Sequence, residues 1–274
     1  MLGAIVGDVI GSVHEWAGTK TKDFPLFADG STFTDDSVLT VAVADWILSG
    51  RDLTGLPHDY TNDFPGRGYG GMFGKWARSR SREPYYSFGN GAAMRASPVG
   101  FAFETMDEVL AWAERSAEVS HNQPEGIKGA QATAAAIHLA RRVRDKDQIR
   151  RTIASQFGYD LSRSIDEIRP GYGFNETCQG TVPQALIAFF ESTGYEDAIR
   201  NAISLGGDAD TLACITGGIA EAYYGGVPPE LEQRVLTLLD ARLVTVIHQF
   251  RERFGLSPRI DQSASAGPAQ SRGS

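Results

Sequence analysis

The chain has 274 residues, enough for one large domain with a sizeable core, and its 42% hydrophobic and 22% charged residues are ordinary for a soluble globular protein. A net charge of -8 and a pI near 5.2 argue against non-specific nucleic-acid binding. Cys178 and Cys214, the two cysteines, stand in no CxxC spacing, which argues against a disulfide framework or a zinc site. No apolar run is long enough to span a membrane, and Met1 to Val13 lacks the basic start of a signal peptide, so a cytoplasmic location is expected.

Leu2, Ile5, Val6, Val9, Ile10 and Val13 fall at helical spacing. Gly3, Gly7 and Gly11 recur every four residues and make a stripe without side chains. Glycine weakens a helix, so three in register predict close approach by another helix and a buried, central position. Asp8, Ser12 and Glu15 share one face. Asp8 reads there as a solvated residue, whereas Glu15, at the helix end, is placed to reach a neighbouring site.

Lys20 to Ser31 reads as a loop. Thr34-Asp35-Asp36-Ser37 then opens an apolar helix from Val38 that ends near Gly50. Residues 51 to 70, rich in Pro, Gly and Asp, are expected to be irregular, and Gly71 to Ser79 to be a short helix with Met72, Phe73 and Trp76 on one face. In Ser87-Phe88-Gly89-Asn90-Gly91, followed by Met94-Arg95, glycines flank an asparagine ahead of a possible helix. Such a turn can aim backbone N–H groups at phosphate oxygens, with Arg95 adding a charge-assisted contact, although most turns of this kind are only turns.

Thr105 and Glu108 form a capping box for a helix ending near Ser120. His121 lies in the polar break that follows, where a lone histidine is more often unremarkable than a ligand contact. Further helices are expected from about Pro124 to Val143, from Asp147 as cap to about Phe157, and around Asp160 to Ile168. The loop Arg169 to Cys178 sets Tyr172 and Phe174 among glycines, where they serve either core packing or an aromatic wall for a purine. Gln179 to Ser192 reads as a helix with Pro183 in its first turn, and Tyr195 to Leu205 as another. Pro228 to Phe254 reads as one or two amphipathic helices. Residues 1–256 are expected to form the domain, and 257–274, composed largely of Ser, Ala, Gly, Pro and Gln, a disordered tail. No stretch has the alternation of a strand.

The decisive stretch is Gly206-Gly207-Asp208-Ala209-Asp210-Thr211, which runs into an apolar, small-residue helix. Three oxygen ligands within four residues at a helix start suit a hard divalent cation such as Mg2+ or Mn2+. The competing reading is an ordinary helix start, with Asp208 as N-cap and Asp210 favoured by the helix dipole. Thr34-Asp35-Asp36-Ser37 repeats the pattern. If the two starts face each other, their oxygens would suit two cations, and without metal the carboxylates would repel and raise their own pKa values.

These motifs in this order, with Gly7-Asp8-Val9-Ile10-Gly11-Ser12 and Glu15 ahead of them, resemble the ADP-ribosylglycohydrolase family from the first helix to about residue 225. The resemblance implies an all-α, compact, single-domain orthogonal bundle with two Mg2+ or Mn2+ ions in a cleft. Thr34, Asp35, Asp36, Asp208, Asp210 and Thr211 would ligate metal. Glu15 would sit on a segment that closes over the metals, and with Asp35 and Asp36 would serve the chemistry. Ser87, Phe88, Gly89, Asn90 and Gly91 would cradle the diphosphate and distal ribose, His121 would approach the phosphates or reacting ribose, and Tyr172 to Phe174 would lie near adenine. Ser37 stands where threonine is common in the family. The expected activity is hydrolysis of the bond between ADP-ribose and a protein side chain or small-molecule acceptor, by a monomer. The alternatives are an inactive ADP-ribose-binding or structural member, which loss of ligands would mark, and a di-metal nucleotide phosphohydrolase.

Overall fold

The computed structural model describes residues 1–256; the tail expected over 257–274 lies outside them. Fifteen α-helices occur among the described residues, with no strand. In chain order they are α1 (Leu2–Gly11), α2 (Asp35–Ser49), α3 (Gly55–Asp63), α4 (Gly71–Ser79), α5 (Gly91–Met94), α6 (Ser97–Ala102), α7 (Met106–Glu118) and α8 (Pro124–Arg142). There follow α9 (Lys146–Phe157), α10 (Ile165–Ile168), α11 (Cys178–Phe190), α12 (Tyr195–Ile203), α13 (Ala209–Tyr224), α14 (Pro229–Leu236) and α15 (Ala241–Arg253). None of them is long and apolar enough to cross a membrane.

The bundle is built around α1 and α13. Every residue of α1 is buried, as is α13 from Ala209 to Ala222. A Cβ on Gly7 would lie 2.0 Å from the Ala213 carbonyl oxygen, one on Gly3 2.4 Å from that of Gly217, and one on Gly11 2.5 Å from Asp210 Cα. The glycine stripe is therefore the seam that lets the two backbones touch. α8, α11 and α12 pack around α13, and α2 crosses beside α1 and carries α3 and α15 outward.

Local chemistry sets the ends of these helices. Thr34 caps α2, which Gly50 closes in the left-handed region at φ 65°. The Thr105–Glu108 capping box is formed, and Ser164 with Glu167 makes a second. Asp145, not Asp147, caps α9: its side chain accepts from the N–H groups of Asp147 and Gln148. The helix expected around Asp160 to Ile168 shrinks to the single turn that the Ser164 box starts.

Residues 51 to 70 are not wholly irregular. α3 lies within them, its Pro57 in the first turn, where a missing N–H is harmless. Pro183, by contrast, sits inside α11 and not in its first turn, because that helix already begins at Cys178 under a Thr177 cap. Met72 turns out to solvent while Phe73 and Trp76 are buried.

Candidate functional site

The α1–α13 seam delivers Asp8 and Asp210 to the same place, and the start of α2 delivers Asp36. Asp8 is not on a solvated face but fully buried. Its carboxylate accepts from Thr34 N at 3.0 Å, Thr34 Oγ1 at 2.6 Å, Ser37 N at 3.1 Å and the Ser37 hydroxyl. Asp8 thus locks the first turn of α2 against α1. Sequence periodicity put Asp8 on a face without saying what faced it; the signal lay in its position between Gly7 and Gly11.

Asp36 is 2% exposed, and its Oδ1 has no hydrogen-bond partner among the described residues. Its Oδ2 accepts from Thr211 Oγ1 at 3.3 Å. Asp210 Oδ1 accepts from Thr211 N at 3.0 Å. Carboxylate oxygens of Asp8, Asp36 and Asp210 lie within 4.8 Å of one another, and so do those of Glu15, Asp208 and Asp210. Two triads therefore share Asp210. Asp35, half-buried at the same helix start, completes the acidic wall.

No arginine, lysine or histidine forms a salt bridge with any of these acids among the described residues. Burial, then the charge of Asp8 and of neighbouring acids, pushes Asp35 and Asp36 well above the ordinary carboxylate range. Burial and then Asp36 and Asp208 do the same to Asp210. Glu15 is raised by burial and by Asp208. An orphaned buried oxygen among repelling hard oxygen donors is the environment a divalent cation relieves, so the residues present fit Mg2+ or Mn2+.

The helix-cap reading of Asp208 does not hold. Its side chain makes no capping bond to α13. Instead Asp208 Oδ2 accepts from Asn90 Nδ2 at 2.7 Å. The turn that aims Asp208 requires Gly207, whose φ is 83° and whose Cβ would lie 2.7 Å from the Gly173 carbonyl oxygen.

Asn90 joins the acids to the opposite wall of a cleft of about 530 Å³. Ser87, Phe88, Gly89, Asn90, Gly91 and His121 all line it. The turn's backbone differs from expectation. Gly89 N–H is taken by Ser87 Oγ and Asn90 N–H by the Glu176 carbonyl, leaving Gly91 N–H as the one of these three without a partner among the described residues. The isolated bridge between Gly89 and Thr177 fixes the turn to the start of α11.

Arg95 borders the cleft, but not as a surface cation. It is 1% exposed, with Nη2 donating to the Ser116 carbonyl at 2.8 Å and Ser120 Oγ at 2.9 Å. Tyr172 takes the core-packing alternative: it is half-buried against the core, its hydroxyl donates to the Gly180 carbonyl, and it is not among the residues lining the cleft. Phe174 does line it and stacks on Trp16, ring centroids 4.8 Å apart. Met72, Tyr86 and Phe88 are further exposed apolar groups on the cleft wall. The exposed large hydrophobic side chains of the described residues thus gather at one mouth, which sequence reading missed because long-range proximity leaves no local pattern.

With this geometry in place, comparison with known proteins is decisive. Residues 1–260 match the family model described as ADP-ribosylglycohydrolase. The chain belongs to the ADP-ribosylglycohydrolase family. Among its relatives, ADP-ribosylhydrolase ARH3 of Danio rerio is 27% identical over an alignment covering 82% of this chain and 81% of that protein. ADP-ribosylarginine hydrolase Tri1 of Pseudomonas putida (strain GB-1) is 26% identical, covering 96% of this chain and 78% of Tri1. A solved structure titled ADP-ribosylglycohydrolase-related protein complex shares the fold at a TM-score of 0.60 and 24% identity, covering 93% of this chain and 94% of that one. The all-α architecture read from the sequence is therefore that of the family.

Proposed function

We propose that this member of the ADP-ribosylglycohydrolase family is a metal-dependent hydrolase that releases ADP-ribose from an acceptor, either a protein side chain or a small molecule. The observation that carries this reading is the pair of carboxylate triads sharing Asp210 at one end of a nucleotide-sized cleft. Every acidic residue of both motifs is retained, which argues against an inactive member.

In this reading Asp35, Asp36, Asp208 and Asp210 hold two Mg2+ or Mn2+ ions, with Asp8 behind them. The Thr34 and Thr211 hydroxyl protons go to Asp8 and Asp36, so their oxygen lone pairs remain to complete the set. When bound, the cations supply Lewis acidity and positive charge at the reacting ribose and against the diphosphate. Ser87, Phe88, Gly89, Asn90, Gly91 and His121 bind the diphosphate and distal ribose, while Phe174 with Trp16 covers one side of the mouth.

The bond from the anomeric carbon to the acceptor nitrogen or oxygen breaks through an oxocarbenium-like state. Water adds its hydroxyl to that carbon, and the acceptor leaves with a proton. Glu15, whose proton affinity is raised by burial and Asp208, takes the water's proton, with Asp35 as its neighbour in the acidic wall. The protein acts in the cytoplasm as a monomer.

The test is a panel of substrates, ADP-ribosylated on arginine, on serine and as O-acetyl-ADP-ribose, assayed with Mg2+ and with chelator. Free ADP-ribose that appears only with metal supports the proposal. AMP or inorganic phosphate would instead identify a phosphohydrolase, and no turnover on any acceptor would count against the enzyme.

A further inference from the structure

Arg95 is the most deeply buried cation near the cleft, yet no carboxylate of the described residues pairs with it. Its Nε and Nη1 have no hydrogen-bond partner among the described residues. Burial lowers its pKa only to about 10, so it stays charged at neutral pH. Its one engaged nitrogen, Nη2, leads to Ser120 Oγ at 2.9 Å, and Ser120 Oγ lies 2.8 Å from His121 Nδ1.

The direction of this chain of bonds follows from donor chemistry. A guanidinium only donates, so Ser120 Oγ accepts from Arg95. Ser120 is fully buried, and its hydroxyl makes no other hydrogen bond among the described residues. If His121 carried its proton on Nδ1, the serine oxygen would accept twice and its own proton would be buried with no acceptor. The satisfied arrangement has Ser120 donating to His121 Nδ1. The imidazole proton is then on Nε2. That nitrogen has no partner among the described residues and faces the cradle: a Cβ on Gly91 would lie 3.3 Å from it and one on Gly89 3.4 Å. Burial, and then Arg95 itself, hold the ring neutral, well below the usual histidine range.

We infer that Arg95 and Ser120 are positioning residues that fix His121 as a neutral imidazole with its proton on Nε2, aimed into the cleft as a hydrogen-bond donor to an anionic phosphate oxygen. The assignment of that oxygen rests on the proposed function; the tautomer does not. With Nε2 protonated and Nδ1 occupied, His121 has no free lone pair, so it is not the general base, and proton abstraction falls to the acidic wall.

The experiment is 15N NMR of the imidazole in substrate-free wild-type protein and in Ser120→Ala, with ADP-ribose titrated into both by calorimetry. Wild-type His121 should show its proton on Nε2 and remain neutral at pH 7. Ser120→Ala should lose that preference and bind ADP-ribose about tenfold more weakly at an unchanged helical signal. If this variant does not fold, Ser120→Cys, a weaker donor, should give a smaller shift of the same kind. A proton on Nδ1 in wild type, a cationic ring, or a variant with unchanged tautomer and affinity would overturn the inference. Wild-type protein that fails to bind ADP-ribose would count against the proposed function, and the NMR spectra would still decide the relay.

Discussion

The two ends of the cleft hold ionisable groups of opposite sign, and neither set has a counter-charge among the described residues. At one end Asp8, Asp35, Asp36, Asp208 and Asp210 gather without a basic partner among the described residues, and Asp36 Oδ1 has no hydrogen bond there. At the other, Arg95 is buried with no acid beside it among the described residues, two of its nitrogens unpartnered there. A fold selected for stability alone would have brought these charges together, because an unpaired buried charge is costly. Keeping them apart makes a cleft that is complete only when a ligand brings a cation to the first end and an anion to the second. A metal ion with a diphosphate matches that demand.

The largest test of this contrast is removal of one acid. Asp210 belongs to both triads, so Asp210→Asn should lower turnover about a thousandfold, equivalent to about 4 kcal/mol of transition-state stabilisation. Metal-free stability should hold or rise, because repulsion is relieved. A destabilised variant with wild-type turnover in a hydrolysis assay would break the comparison at its acidic end.

The acidic end also depends on the glycine seam. Gly7→Ala drives a methyl group into the Ala213 carbonyl, so unfolding stability should fall by about 3 kcal/mol, read by denaturant titration. Added Mg2+ should recover part of it through binding to the folded state.

Acid should sharpen the contrast, because the two ends respond with opposite sign. His121 has a folded pKa below its unfolded value, so its contribution to stability is full above about pH 6.5 and is lost as pH falls toward the folded value. The acids have folded pKa values above their unfolded ones, so in chelator their contribution is present at low pH and lost as pH rises. Melting curves of wild type and His121→Gln from pH 7.5 to 5 should diverge by up to about 1.4 kcal/mol per pH unit, with the wild type losing more. Parallel curves would mean that His121 accepts a proton freely.

The smallest effect is expected at the mouth. Phe174→Ala removes the partner of Trp16 and should weaken ADP-ribose binding by about 1 kcal/mol while leaving metal-dependent melting unchanged. Unchanged affinity in calorimetry would remove this pair from the ligand's path.

The features that sequence revealed share one property: their cause is local. The Thr105–Glu108 box, the Gly50 helix end, and the oxygen-rich starts at Thr34 and Asp208 are each determined by neighbours a few residues away. The seam of Gly3, Gly7 and Gly11 was legible because three repeats need a common cause. What escaped depended on the partner. Asp8 looks solvated in sequence and Arg95 looks like a direct phosphate contact, and only packing shows that one locks α2 and the other backs the cradle. Asp145 and Asp147 are equivalent as text, and the cap fell to the residue with the extended backbone. α3 was hidden because proline and glycine at a helix start resemble a loop.

Asn90 spans the cleft by its side-chain bond to Asp208. A ligand that fixes the turn around Asn90 also fixes a carboxylate of the cation site, and a cation that fixes Asp208 likewise stiffens the turn. Linkage then imposes reciprocity: whatever factor the diphosphate applies to the cation's affinity, the cation must apply to that of the diphosphate. One amide thus makes the two sites a single thermodynamic unit, and each ligand's dissociation constant has meaning only at a stated concentration of the other.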